Sequence, residues 1–130
     1  MIHRNTVTMR CITARFEYDS FGDLMESYMR LKDEKIEPSF CLDHQMTFSL
    51  YYKDPEGNYV ELQTDGFYDW KKSGAFMSTP AFAANPVGIF FDPDKVYEAH
   101  RSGMDFDAVR DLVRSRAFAP QHTPSIGLGA

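Results

Sequence analysis

His44-Gln45-Met46-Thr47-Phe48-Ser49-Leu50-Tyr51-Tyr52-Lys53-Asp54-Pro55-Glu56-Gly57-Asn58-Tyr59-Val60-Glu61 is the stretch of this 130-residue chain that decides its fold. Before the turn, Met46, Phe48, Leu50 and Tyr52 alternate with Thr47, Ser49, Tyr51 and Lys53. After it, Tyr59, Glu61 and Gln63 alternate with Val60 and Leu62. A period of two marks half-buried strands. Asp54-Pro55-Glu56-Gly57 joins them: Asp accepts at the first turn position, Pro presets φ at the second, and Gly closes the turn. The spacing predicts a hairpin with Tyr51 and Glu61 on one face and Val60 and Leu62 on the other.

Working outward, residues 6 to 18 also alternate, with Ile12, Ala14, Phe16 and Tyr18 in one row and Cys11, Thr13, Arg15 and Glu17 in the other. Ser20 and Asp23 offer a weak capping box. Phe21, Leu24, Met25, Tyr28 and Leu31 recur at helical spacing, which predicts an amphipathic helix over 21 to 34. The row Ile12, Ala14 and Phe16 is expected to pack on it. Residues 37 to 42 read as a short strand with Pro38 near its start. Beyond Gln63 the pattern changes. Phe67, Trp70 and Phe76-Met77 suggest a short helix or wrapped loop. Asp92-Pro93 starts a helix that Gly103 stops, and Asp105 caps a last one near 106 to 116, carrying Phe106, Val109, Leu112 and Val113.

The expected fold class is therefore α+β: one βαβββ module with a mixed sheet over 6–66, a helical C-terminal extension over 67–117, and a flexible tail over 118–130. An apolar fraction of 43% and an aromatic fraction of 15% support a real core. A net charge of −5 without a local basic cluster argues against a nucleic-acid partner. No apolar run is long enough to span a membrane, and residues 1 to 5 lack a signal-peptide core. Cys11 and Cys41 are isolated, which suggests a reduced, cytoplasmic protein and no structural zinc.

His44, the Leu50-Tyr51 pair, the Asp54-Pro55-Glu56-Gly57 turn and Glu61 together resemble the vicinal oxygen chelate superfamily (glyoxalases, bleomycin resistance proteins and extradiol dioxygenases). Within it the run resembles the type I extradiol dioxygenases. Six constrained positions fall at fixed offsets; Leu42, two before the His, is a minor departure. The likeness covers roughly residues 8 to 66. The Asn85-Pro86-Val87-Gly88 and Asp92-Pro93-Asp94-Lys95 stretches resemble the C-terminal extension of biphenyl-2,3-diol 1,2-dioxygenase-related proteins.

The resemblance implies iron(II)-dependent ring cleavage of a catechol-type aromatic diol, with Glu61 as a metal ligand, Tyr51 bonding the substrate oxygen and His44 as an acid or hydrogen-bond donor. The residues alone leave alternatives open. Glu61 can be a solvated strand carboxylate, Tyr51 a packed core tyrosine, and His44 an ordinary loop histidine. The resemblance also implies a metal-binding His on the first strand, and Thr13 stands there, with Cys11 and Arg15 on the same face. His3 lies too far upstream, and His100 and His122 fall in the extension. An iron site of this type needs two imidazoles beside the carboxylate. The sequence thus predicts weak iron binding by the isolated chain and the absence of a first module. Two expectations compete: a ring-cleaving dioxygenase completed by a second copy in a homodimer, or a non-catalytic small-molecule binding module or degenerate fragment. A lone module would leave Arg15, Glu17, Ser49, Tyr51 and Glu61 on an open concave face. A glyoxalase-like isomerase or an antibiotic-binding resistance protein are the alternatives within the superfamily.

Overall fold

The computed structural model describes residues 6–8, 12–65, 88–122 and 125–127. In chain order the elements are β1 (Thr6–Thr8), β2 (Ile12–Tyr18), α1 (Phe21–Asp33), β3 (Phe40–Asp43), β4 (Thr47–Lys53) and β5 (Tyr59–Asp65). Then come β6 (Ile89–Phe90), α2 (Pro93–Arg101), α3 (Phe106–Arg114) and β7 (Ser125–Gly127). Five strands form one sheet in the order β2-β5-β4-β3-β6, with β2 parallel to β5 and the other neighbours antiparallel. This is the α+β architecture expected: a βαβββ unit in a mixed sheet followed by helices. Strand β6 extends the sheet beyond that unit. Strand β7, which falls in the stretch read as tail, pairs in parallel with β1 in a separate two-stranded sheet.

The hairpin follows its turn chemistry. The Asp54 carboxylate accepts from the backbone N–H of Glu56 and of Asn58, each at 2.9 Å, and Gly57 takes φ +90°. Register then pairs Tyr51 with Glu61 and Leu50 with Leu62. The helices start where the caps predict: Ser20, Asp92 and Asp105 accept from the N–H of Asp23, Asp94 and Ala108. The segment around Phe67, Trp70 and Phe76-Met77 lies outside the described residues.

The three described helices share one apolar core with a single face of the sheet. Phe21, Leu24, Met25 and Tyr28 of α1 meet Cys41, Phe48, Leu50, Tyr52 and Leu62, together with Val96 of α2 and Val109 and Val113 of α3. Tyr28 also donates to the Asp94 carboxylate, which ion-pairs with Lys32 at 2.5 Å, so α1 and α2 are joined by polar contacts as well. Burial, then the hydrogen bond to Asp94, pushes the Tyr28 hydroxyl well above the usual phenol range.

One packing expectation is corrected. Phe16 does not dock on α1; it is 55% exposed. Its register partner Leu62 is buried. The reason is position: β2 is the edge strand, and α1 packs over the inner strands. Alternation placed Phe16 on the correct face without revealing that the face ends there.

Tyr52 carries the one buried side-chain polar atom without a hydrogen-bond partner among the described residues. A buried hydroxyl without a partner costs its full desolvation penalty. Tyr52→Phe should therefore raise stability by roughly 1 kcal/mol. Urea melts should show a higher midpoint with an unchanged slope; a lower midpoint would mean that the hydroxyl has a partner after all.

Candidate active site

The face of the sheet turned away from the helices carries Phe40 of β3, Ser49 and Tyr51 of β4, and Glu61 of β5. Antiparallel register sets Tyr51 opposite Glu61, and the Tyr51 hydroxyl donates to Glu61 Oε2 at 3.0 Å. Parallel register sets Arg15 of β2 opposite Glu61 from the other side, and Arg15 Nε donates to Glu61 Oε1 at 2.9 Å. His44, in the turn between β3 and β4, places its Nε2 2.6 Å from the Tyr51 hydroxyl. The Phe40 ring stacks on Tyr51 with centroids 4.6 Å apart. The three residues singled out from the sequence, His44, Tyr51 and Glu61, thus form one hydrogen-bonded row that ends on Arg15.

Donor chemistry orders this row. A carboxylate only accepts, so the single phenolic proton of Tyr51 is committed to Glu61. The Tyr51 oxygen must then accept from His44, which requires a proton on His44 Nε2. Burial, then the neighbouring Glu61 charge, pushes the Tyr51 hydroxyl far above the ordinary tyrosine range, so it stays protonated and keeps that commitment. The row is a set of aligned donors running from a histidine to a carboxylate neutralised by a guanidinium.

The face is more closed than the sequence suggested. Ser49, Tyr51 and Glu61 are buried within this single chain, whereas Arg15 has 59% of its side chain exposed and His44 is half-buried. Those three residues are covered without a second copy. The less buried ends of the row are His44 and Arg15.

Around Glu61 the described residues do not supply the donor set of an iron site. Among the described residues no three of His, Cys, Asp or Glu converge to hold a metal ion. Both oxygens of Glu61 are engaged, one by a cation and one by a phenol. His100 is elsewhere, paired with Glu26 at 3.3 Å on the helical layer, and His122 is exposed. His3 lies outside the described residues, as do the side chains of Cys11 and Thr13.

Two residues near the site escaped the sequence reading. Asp43 and Arg110 form a buried ion pair, with Arg110 Nη2 3.2 Å from Asp43 Oδ1 and Nε 3.3 Å from Oδ2. The signal was present but unused. Position 110 sits four residues after Phe106 and three before Val113, inside the buried stripe of α3, where a charge needs a partner. Leu112, which was assigned to that stripe, is only half-buried.

The chain is 39% identical over 111 residues to biphenyl-2,3-diol 1,2-dioxygenase 2 of Rhodococcus globerulus, covering 85% of this chain and 56% of that protein. It is 36% identical over 101 residues to biphenyl-2,3-diol 1,2-dioxygenase 3 of the same organism, covering 78% of this chain and 53% of that one. It is thus related to biphenyl-2,3-diol dioxygenases, and spans about half the length of the curated relatives it matches. No protein-family model matches the sequence, and no solved structure does. Among the described residues, no helix is long and apolar enough to cross a membrane.

Proposed function

We propose that this chain is an extradiol dioxygenase-like module of the vicinal oxygen chelate type that recognises a small aromatic diol and does not by itself assemble the iron centre for ring cleavage. The observation that carries the reading is the row His44–Tyr51–Glu61 closing on Arg15. The buried Tyr51–Glu61 pair holds the row in place, and its less buried ends, the His44 imidazole and the Arg15 guanidinium, are suited to hydrogen-bond the oxygens of a diol. Phe40, stacked on Tyr51, backs the row with an aromatic ring. The two relatives, whose names specify an aromatic diol, support the ligand class. Arg15 supports the metal-free part: it supplies at Glu61 the positive charge that a metal ion would otherwise bring.

The test uses the purified chain and catechol or biphenyl-2,3-diol as probes. Without metal, titration with the diol should shift the NMR signals of His44 and Arg15. Iron(II) should bind substoichiometrically and yield little ring-cleavage product. Stoichiometric iron with an oxygen-dependent yellow product would overturn the metal-free reading and establish the chain as a complete enzyme. A diol that leaves both residues' signals in place would remove the diol reading itself.

A further inference from the structure

We infer that Arg110, far from the site in sequence and carried on the opposite side of the sheet, is the positioning residue that aims His44 at Tyr51. This rests on the reading of His44 as the donor end of the site.

The turn that presents His44 is short and strained. His44 N–H bonds Thr47 C=O at 2.8 Å, and Gln45 takes φ +76°, a left-handed conformation that non-glycine residues rarely adopt. A residue held there persists only where its surroundings impose it. The surroundings do so from two sides. Asp43 Oδ1 accepts from Gln45 N–H at 2.8 Å, and Arg110 Nη2 donates to Gln45 C=O at 2.5 Å while also gripping the Asp43 carboxylate. One planar guanidinium therefore fixes the residues on both sides of His44. A fork with this geometry is something arginine supplies and lysine does not. The guanidinium is itself fixed, 3% exposed and 5.2 Å from the centre of the Phe106 ring. The second side is Gly88, at φ +113°, where a Cβ would lie 2.6 Å from Asp43 O and 3.1 Å from His44 Cα. The backbone of that glycine blocks retreat of the turn. Asp43 points to the helical layer and His44 to the site face, so the pair transmits the placement of α3 through the sheet to the imidazole.

Arg110→Lys is the first variant, read by the ring-nitrogen NMR signature of His44 in the full chain, assigned with His44→Gln. The expected result is a folded protein whose His44 Nε2–H signal moves toward that of a free imidazole. Its catechol affinity should fall about tenfold, one well-aligned hydrogen bond's worth. If that variant does not fold, Asp43→Asn combined with Arg110→Met decides, because it removes both buried charges and the grip on Gln45 together, and the same His44 change is expected. Val109→Ala, in the core on the same helix, is the control: it should lower the melting temperature and leave the His44 signature alone. An unchanged His44 signature in the folded Arg110 variant, or an equal change in the control, would overturn the inference. If the native chain binds no catechol, the diol reading fails, and the His44 signature alone judges Arg110.

Discussion

Phe48→Ala should cost about 3–5 kcal/mol, the range for removing a fully buried aromatic side chain. Phe48 stacks on Phe91 with centroids 4.2 Å apart and meets Phe106 and Phe21 edge-on at 5.3 and 5.7 Å. Its ring thus joins the central strand to α1, to the segment entering α2, and to α3. A loss of that size is a large share of the 5–15 kcal/mol typical of a whole domain. Because the helices share the ring, sheet and extension should lose stability together. Urea melts followed by far-ultraviolet circular dichroism and by aromatic fluorescence should coincide at a much lower midpoint. Two separated transitions, or a loss below about 1 kcal/mol, would show that the extension is a unit of its own.

Asp43→Ala should be nearly as damaging, by a different route. It strands the Arg110 guanidinium in a site where both partners are almost fully inaccessible, and breaking one side of a buried pair costs roughly 3–5 kcal/mol. Most of that is the penalty on the charge left behind, not the worth of the bridge. Replacing both charges at once, as in Asp43→Asn with Arg110→Met, should therefore recover most of the loss. Denaturant midpoints of the single and paired variants measure the difference. A single variant within about 0.5 kcal/mol of the native chain would mean that water reaches Arg110.

The hairpin was readable because its information is local. Asp54, Pro55 and Gly57 set the turn, and a period of two then assigns faces without knowledge of anything distant. Tyr51, Glu61 and His44 came together for that reason. Arg15 was placed on the right face by parity, but its pairing with Glu61 depends on the parallel β2–β5 register, which a sequence separation of 46 residues conceals. Asp43 and Arg110 are 67 residues apart and meet only after α3 has docked. Phe16 shows the converse limit: periodicity names a face and says nothing of where the sheet stops. The two-residue β6 is too short to show a period at all.

Arg110's distance from Asp43 also has a consequence for how this chain comes off the ribosome. The first long strand, β2, finds its neighbour only after the hairpin has been made, since its parallel partner β5 is the hairpin's second strand. Phe21 and Phe48 then wait for Phe106, which follows the hairpin much later in the chain. Adding β2 and α3 to the hairpin is non-local, a feature associated with slow folding and prolonged exposure of apolar surface. A nascent chain halted before α3 would present bare aromatic rings and an unpaired buried aspartate, which is the kind of surface that chaperones bind and proteases clear.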